Sequence, residues 1–206
     1  MASTDFDARA ATWDADPEKV ERAQRVADAI AREVPDLARR TVLDFGAGTG
    51  LLGFALLPRA ASVTLADVSQ GMLAEVRGKI ARTGASNARA LLLDLTAGPL
   101  PAERFGVVCS LMTLHHVKDV PAILSRLRDV LEPGGVLCLS DLDSEDGSFH
   151  GPGHDVHLGF DRKALARDVR AAGFSAPAFS TPHVVRKAVD GSARDYPLFL
   201  AVARRS

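Results

Sequence analysis

Hydrophobic positions along the chain follow two patterns, one typical of buried strands and the other of helices. Short apolar runs recur from residue 41 to residue 140, and the segments between them carry apolar residues three and four positions apart. The runs predict strands at 41–45, 62–66, 88–93, 105–111 and 136–140, and the spaced segments predict helices at 17–34, 49–57, 70–82 and 120–131. Apolar strands that alternate with helices predict a parallel sheet covered on both faces.

The last third of the chain departs from this alternation. Residues 144–159 are rich in glycine and histidine and predict a loop, after which Asp161 is expected to cap a helix. Two further strands, around 177–185 and 193–203, are separated by an Asp-Gly turn at 190–191. This arrangement predicts a hairpin at one edge of the sheet.

The N-terminal region combines a polar arm with a helix. Asp16 followed by proline predicts the helix start, and the alternating charges of residues 18–22 predict a solvated helix face. Phe6 and Trp13 lie in the arm ahead of the helix. We expect this arm to act as a lid, with Trp13 both anchoring it and facing the bound molecules.

Composition and charge limit the partners. The chain has 206 residues, of which 47% are hydrophobic and 25% charged, as expected for one soluble domain. A net charge of −1 gives no electrostatic case for nucleic acid or an anionic membrane. The polar N-terminus and the lack of an apolar run near ~20 residues predict a cytoplasmic protein. Cys109 and Cys138 lie in apolar strands and are predicted to be buried free thiols.

Polar and small residues at successive strand ends predict a nucleoside site. Gly46, Gly48 and Gly50 follow the first strand, where they allow a sharp turn and close approach of a ligand to the next helix. Asp67 ends the second strand, 21 positions after Gly46 (67 minus 46), and could accept hydrogen bonds from a ribose diol. Asp94 ends the third strand and could accept from an adenine amine, or it could merely cap a turn.

The loop differs from the dinucleotide fingerprint. Its third glycine comes one position early, and Leu51 fills the fingerprint position. Asp44, directly before the loop, suits a cationic ligand better than a pyrophosphate. These features favour a cationic nucleoside cofactor, and a nicotinamide-dependent oxidoreductase stays the alternative.

Taken together, the motifs resemble those of class I S-adenosylmethionine-dependent methyltransferases of the small-molecule type. The similar segments are residues 42–50, 65–69, 93–95, 110–117 and 128–135. The resemblance implies an α/β, single-domain, Rossmann-like doubly wound fold with a mostly parallel seven-stranded sheet, an antiparallel last strand and helices on both faces. It also implies S-adenosyl-L-methionine as cofactor and a small-molecule acceptor, while the oligomeric state stays open. A non-catalytic binding protein of the same fold is a further alternative.

The predicted domain covers residues 1–206, divided into an N-terminal arm and helix (1–40), a cofactor-binding core (41–141) and an acceptor-side loop, helix and hairpin (142–206). Within it, Met72 is implied to pack on adenine. The cofactor-binding residues that the motifs and the resemblance indicate are Asp44, Gly46, Ala47, Gly48, Gly50, Asp67, Val68, Met72, Asp94, Leu95 and Leu111.

Histidines and one aspartate are candidate catalytic groups. Methyl transfer from a sulfonium needs no acid, and it needs a base only when the nucleophile carries a proton. The candidates are His115 after the fourth strand, Asp141 after the fifth, and His157 in the late loop; packing and turn capping are the alternative roles of His115 and Asp141. The predicted acceptor pocket consists of Trp13, His150 and His157. No metal site is expected, because the glycines around these histidines leave no helix to aim them.

Overall fold

A seven-stranded sheet forms the centre of the computed structural model, which describes residues 3–151 and 153–206. Its strands are β1 Thr41–Phe45, β2 Ser62–Asp67, β3 Ala88–Leu92, β4 Phe105–Leu111, β5 Leu131–Leu142, β6 Ala178–Val189 and β7 Ser192–Arg204. They follow the order β3-β2-β1-β4-β5-β7-β6, and β7 runs antiparallel to both of its neighbours. This topology confirms the predicted mostly parallel sheet with an antiparallel last strand. Residues 1 and 2 of the predicted arm and Pro152 of the predicted loop lie outside the described residues.

The helices cover both faces of this sheet, as predicted. They are α1 Ser3–Arg9, α2 Pro17–Glu33, α3 Leu51–Leu56, α4 Gln70–Thr83, α5 Val120–Asp129 and α6 Arg162–Ala171. Val26, Leu52 and Val76 bury α2, α3 and α4 against one face. Leu124 and Leu165 bury α5 and α6 against the other. Within the described ranges, no helix has both the length and the apolar character needed to cross a membrane.

Local sequence explains most element boundaries. The carboxylates of Asp16 and Asp161 accept hydrogen bonds from backbone amides at the starts of α2 and α6, which confirms both predicted caps. The helix predicted from residue 49 begins instead at Leu51, because Gly50 has φ +87°, in the left-handed region. β5 begins at Leu131, five positions before the predicted start at residue 136, and its pairing with β4 is irregular in this first part.

The predicted hairpin forms at the edge of the sheet. β6 pairs with β7 along most of its length, and β6 is the edge strand. Asp190 and Gly191 join them with φ values of 49° and 77°. Two positive φ values in a two-residue loop match the right-handed twist of the flanking strands, which explains the Asp-Gly sequence.

The N-terminal arm is helical and is held in place by polar contacts. It consists of α1 and a 3-10 segment, Ala10–Ala15. The carboxylate of Asp7 accepts a hydrogen bond of 2.8 Å from the backbone amide of Gly71, at the start of α4. Asp14 forms an ion pair with Lys79, further along α4. The arm therefore lies across the amino end of α4, beside the glycine loop.

The two cysteines lie side by side in the middle of the sheet. Cys109 on β4 is the register partner of Cys138 on β5, and both are completely buried free thiols, as predicted. Burial raises the pKa of Cys138 to about 12 and that of Cys109 well above its ordinary value. The thiol of Cys109 points towards Asp44, with 3.8 Å between its Sγ and Oδ1.

Candidate functional site

A cavity of about 490 Å³ opens at the carboxyl ends of β1 to β4. Its volume falls in the range of sites for small molecules and cofactors. The predicted residues that line it are Asp44, Gly46, Ala47, Gly48, Asp67, Val68, Met72, Asp94, Leu111 and Trp13. The structure therefore brings together at one edge of the sheet residues that are as much as 98 positions apart (111 minus 13).

Two predicted cofactor residues do not line this cavity. Leu95 is completely buried and packs in the hydrophobic core. Gly50 lies behind the loop, where an added Cβ would be 2.5 Å from the Leu65 side chain. Its role is to let the chain pass close to β2 rather than to face a ligand.

The other two glycines of the loop have different surroundings. An added Cβ at Gly46 would overlap the side chain of Thr113, so this glycine lets two strand ends approach each other. At Gly48 the nearest atom would be the Met72 sulfur at 4.0 Å, and the position faces the cavity. A side chain at Gly48 would thus fill ligand space as well as strain the backbone, which has φ +55°.

Asp67 supports the loop from the next strand. One carboxylate oxygen accepts from the Gly48 amide at 2.7 Å, and the other accepts from the Ser69 amide at 2.8 Å. Each carboxylate oxygen can accept more than one hydrogen bond, so both keep capacity for a ligand. Asp67 therefore fixes the loop and presents acceptor atoms to the cavity at the same time.

Asp94 performs the alternative role of a turn cap while it also lines the cavity. Its Oδ1 accepts from the Thr96 amide (2.7 Å), the Thr96 hydroxyl (2.6 Å) and the Ala97 amide (3.3 Å). The Thr96 hydroxyl bond is the main reason why the pKa of Asp94 lies below its ordinary value. All three bonds use one oxygen, so the other oxygen is the one available to a ligand.

Asp44 is a nearly completely buried carboxyl group in the wall of the cavity, with 1% of its surface exposed. It accepts a hydrogen bond of 2.9 Å from the backbone amide of Gly53. Burial raises its pKa to about 7, and the nearby charge of Asp67 adds to this effect. A cation in the cavity would stabilise the ionised carboxylate and lower this pKa.

His115 and Asp141 form a buried pair next to the main cavity. Nδ1 of His115 is 2.7 Å from Oδ1 of Asp141, and the side chains are 1% and 0% exposed. The other ring nitrogen, Nε2 of His115, is buried and has no hydrogen-bond partner within the described part of the chain. Neither residue lines the main cavity, and His115 lines the second, smaller one.

Two further imidazoles pack on this pair. The ring centroids of His116 and His150 lie 4.1 and 4.8 Å from that of His115. Burial lowers the pKa of His116 to about 3 and that of His150 to about 4, and the nearby His115 lowers both further. His116 and His150 are therefore neutral near pH 7, and His116 is the one that reaches the main cavity.

His157 lies on a second, smaller cavity of about 240 Å³ rather than on the main one. Its Nε2 is 2.9 Å from the carbonyl oxygen of Val117, and its amide donates to the carbonyl of His115 at 2.8 Å. These contacts fasten the late loop to the segment after β4. The two cavities adjoin, because His116 and Val117 line both. His150 lines neither cavity.

Sequence reasoning missed two cavity residues on α2, Lys19 and Arg22. The cavity also contains Phe6 from the predicted lid, and Met112, Thr113 and His116 from the segment 110–117 that resembles the family motif. The prediction of a solvated face at residues 18–22 is wrong for Arg22, which is only 8% exposed. Its burial depends on how α2 crosses the strand ends, and the alternating charges in the sequence do not indicate this.

Comparison with known proteins agrees with this site. Residues 42–135 match the family model described as a methyltransferase domain. An uncharacterized methyltransferase of Schizosaccharomyces pombe is 35% identical over 122 residues, which are 55% of this chain and 43% of that protein. A ubiquinone biosynthesis O-methyltransferase of Pseudomonas aeruginosa is 34% identical over 108 residues, which are 52% of this chain and 46% of that enzyme. The chain thus spans about half the length of these relatives.

Solved structures show the same fold. The YcgJ protein of Bacillus subtilis superposes with a TM-score of 0.70 at 16% identity, covering 87% of this chain and 97% of that one. Magnesium protoporphyrin IX methyltransferase of Synechocystis, solved with bound S-adenosylmethionine, gives 0.65 at 21% identity, covering 89% and 79%. Residues 42–135 thus match a methyltransferase domain, and the fold and motifs of the chain are similar to those of class I S-adenosylmethionine-dependent methyltransferases.

Proposed function

We propose that this protein transfers a methyl group from S-adenosylmethionine to a small-molecule acceptor. The observation that carries the proposal is the junction of two cavities: one is lined by the glycine loop and three strand-end carboxyl groups, and the other adjoins the His115–Asp141 pair. The first suits a cationic nucleoside, and the second leaves room for an acceptor beside a potential base.

The residues of the main cavity fit the cofactor in polarity and shape. Asp67 has free acceptor capacity for ribose hydroxyls, and Asp94 has one free oxygen for the adenine amine. Val68 and Met72 give apolar contact beside Gly48, which is open to the cavity. The buried carboxyl of Asp44 gains most from a cation, because burial disfavours its ionisation otherwise.

The chain contributes mainly position and exclusion of water. Bound cofactor would supply an electrophilic methyl group whose leaving group is a neutral thioether, so no protein acid is needed. Phe6 and Trp13 line the cavity from the N-terminal arm, which Asp7 fastens to α4. We propose that residues 1–40 cover the site, residues 41–141 hold the cofactor and residues 142–206 shape the acceptor side. Holding two reactants in line inside a closed site lowers the barrier substantially.

His115 is the proposed general base, and Asp141 positions it. A carboxylate that accepts from Nδ1–H fixes the tautomer in which Nε2 carries the lone pair. That Nε2 has no partner among the described residues, so it is available for the proton of an acceptor hydroxyl or amine. His157, which donates its backbone amide to His115, is proposed to hold the loop around the acceptor.

A small acceptor is favoured by several observations. The net charge of −1 gives no general attraction for nucleic acid. The two cavities are small and adjoin inside the fold. The relative from Pseudomonas aeruginosa is named an O-methyltransferase of ubiquinone biosynthesis, which makes hydroxylated small molecules the first acceptors to test.

The test is production of S-adenosylhomocysteine from S-adenosylmethionine with a panel of hydroxylated and amino metabolites. We expect acceptor-dependent product, together with calorimetric binding of S-adenosylhomocysteine. Binding of NADH without binding of either S-adenosyl compound would contradict the proposal. Binding without turnover on any acceptor would favour a role other than methyl transfer. The same fold does not imply the same reaction, since a [4+2]-cyclase superposes with a TM-score of 0.68.

A further inference from the structure

Three histidines form a row that leads outward from the buried His115–Asp141 pair. The ring centroid of His150 lies 4.8 Å from that of His115 and 5.7 Å from that of His154. Exposure increases along the row, because the His115 side chain is 1% exposed, His150 is half-buried and His154 is exposed. The row therefore connects the proposed general base with the surface of the protein.

Two ring nitrogens of this row are buried and free to exchange a proton. Nε2 of His115 and Nε2 of His150 have no hydrogen-bond partner within residues 3–151 and 153–206. Imidazoles can exchange a proton when their nitrogens are at hydrogen-bond distance or are joined by one water molecule. The measured centroid separations place successive rings within that reach. The other neighbour of His115 is His116, which lines both cavities, where bound ligands would cover it.

The turn that carries His150 is fixed by contacts of the residue before it. The carboxylate of Glu145 accepts a hydrogen bond of 3.0 Å from the Phe149 amide, and the ammonium group of Lys187 donates to the Phe149 carbonyl. The Phe149 side chain is itself buried. These contacts hold His150 beside His115, although the surrounding sequence is rich in glycine.

The charges around His150 keep its ring neutral between proton transfers. Burial is the main reason why its pKa is lowered to about 4, the positive charges of His115, His154 and Lys187 act in the same direction, and Asp141 opposes them. A proton that reaches His150 is therefore passed on rather than retained.

We infer that His150 and His154 relay to solvent the proton that His115 takes from the acceptor, an inference that rests on the proposed function. In the transfer, the O–H or N–H bond of the acceptor breaks and its proton binds Nε2 of His115. The acceptor atom forms a bond to the methyl group, and the broken methyl–sulfur bond leaves its electron pair on the neutral thioether. The His115 imidazolium then gives its proton to Nε2 of His150, which releases a proton from its other ring nitrogen towards His154 and water.

One proton thus leaves for each methyl group transferred, and His115 becomes neutral again. Direct loss of this proton to water is hindered, because His115 is almost completely enclosed. An acceptor in the second cavity, which His115 lines, would cover it further. The relay gives the proton a path that does not pass through the occupied cavity.

Kinetics with and without imidazole in the buffer test the relay. His150→Ala removes the proton carrier and leaves space for an imidazole molecule, whereas His150→Phe fills this space with a ring that carries no proton. We expect the first turnover to keep its wild-type rate in both variants, because His115 begins neutral. In dilute buffer without imidazole, kcat should fall about tenfold in both. Concentrated imidazole should restore kcat in His150→Ala but not in His150→Phe.

A second measurement needs neither acceptor nor cofactor. In the ligand-free protein labelled with nitrogen-15 histidine, NMR measures the rate at which the ring protons of His115 exchange with water. This exchange should be about tenfold slower in His150→Phe than in the wild type. His154→Ala should slow it less, because His150 is only half-buried. His183→Ala is the matched control, since His183 lies on β6 beside Glu18, outside the row, and should leave kcat and the exchange rate unchanged.

Two results would overturn the inference. An equal fall in the first and later turnovers, milder in His150→Phe than in His150→Ala and insensitive to imidazole, would assign His150 a packing role. Unchanged kcat and unchanged exchange in both variants would show that the proton leaves by another route. A wild-type protein that transfers no methyl group to any acceptor would instead refute the proposed function, and the exchange rate of His115 would still test the relay.

Discussion

The two sides of the main cavity are built in different ways. On the side of β1 to β3, the glycine loop, Asp44, Asp67 and Asp94 come from strand ends within about fifty residues of sequence, and a hydrogen bond joins Asp67 to the loop directly. On the opposite side, Arg22 on α2 and His116 after β4 meet across 94 positions (116 minus 22). The first side is a local motif that any chain with this sheet can carry. The second depends on how separate elements pack, and it is where relatives can differ.

The largest effect should come from breaking the buried His115–Asp141 pair, which lies next to the side formed by α2 and the segment after β4. In Asp141→Asn the amide favours the wrong tautomer of His115, so Nε2 carries the proton instead of the lone pair. We expect kcat to fall by roughly a hundredfold or more. The measurement is single-turnover methyl transfer with saturating cofactor, and the Kd of S-adenosylhomocysteine should not change. A parallel loss of cofactor affinity would show that the pair supports the fold rather than the chemistry.

Substitutions on the side of β1 to β3 are expected to have a smaller effect, and it should appear in cofactor affinity. Asp67→Ala removes the acceptor of the Gly48 amide, and Gly48→Val places a side chain in the cavity. Each should raise the Kd of S-adenosylhomocysteine about tenfold or more, ~1.4 kcal/mol. Asp94→Ala serves as comparison and should raise this Kd less, because the exposed Asp94 carboxylate mainly caps a turn. Unchanged affinity in both Asp67→Ala and Gly48→Val would contradict the assignment of this side to cofactor binding.

Asp44 predicts a dependence on pH. Its pKa in the folded protein is about 7, against an ordinary value of 3.8, so cation binding requires it to lose a proton near neutrality. The Kd of S-adenosylmethionine should fall by roughly tenfold between pH 6 and pH 8, whereas that of uncharged 5′-methylthioadenosine should not. In Asp44→Asn this slope should disappear. A slope of the same size in the variant would assign it to another group.

The same shift has a stability consequence of opposite sign. A carboxyl group whose pKa is raised on folding destabilises the fold above its unfolded pKa, and the penalty grows from about pH 4 to about pH 7. Asp44→Asn should therefore stabilise the ligand-free protein at pH 8 by roughly 4 kcal/mol while weakening cofactor binding. Urea unfolding at pH 4 and pH 8 measures this, and the gain should vanish at the lower pH.

The smallest effect should arise in the N-terminal arm. Asp7→Ala removes the contact with the Gly71 amide, and the arm should detach more often. We expect cofactor dissociation to become a few-fold faster in stopped flow, with little change in the melting temperature. Asp195→Ala, which breaks an exposed ion pair in the distant hairpin, is the control. Equal rates in the two variants would show that the arm does not cover the site.

The sequence predicted the parts of the molecule whose causes are local. Apolar runs gave β1 and β4 with the bounds observed, and Asp16 and Asp161 cap the predicted helices. It could not predict that Arg22 is buried, because its neighbours have the alternating charges of an exposed helix. The histidines include both kinds of residue: the pairing of His115 follows from topology, whereas the positions of His150 and His157 do not.

Parallel neighbours bring the ends of β4 and β5 together, which makes the pairing of His115 with Asp141 understandable from topology. Nothing in the glycine-rich loop fixed whether His150 and His157 would reach the main cavity. The position of His157 depends on hydrogen bonds to the segment after β4, and His150 packs its ring on that of His115, contacts that only the folded chain reveals.

The neighbouring sulfhydryls of β4 and β5 offer a practical reporter. Both are fully enclosed and poorly ionised, so a thiol-specific dye can react only when the central strands separate. The chain contains no other cysteine, and the rate of dye incorporation therefore records opening of the sheet. Each substitution proposed above can be checked for damage to the interior without any added label.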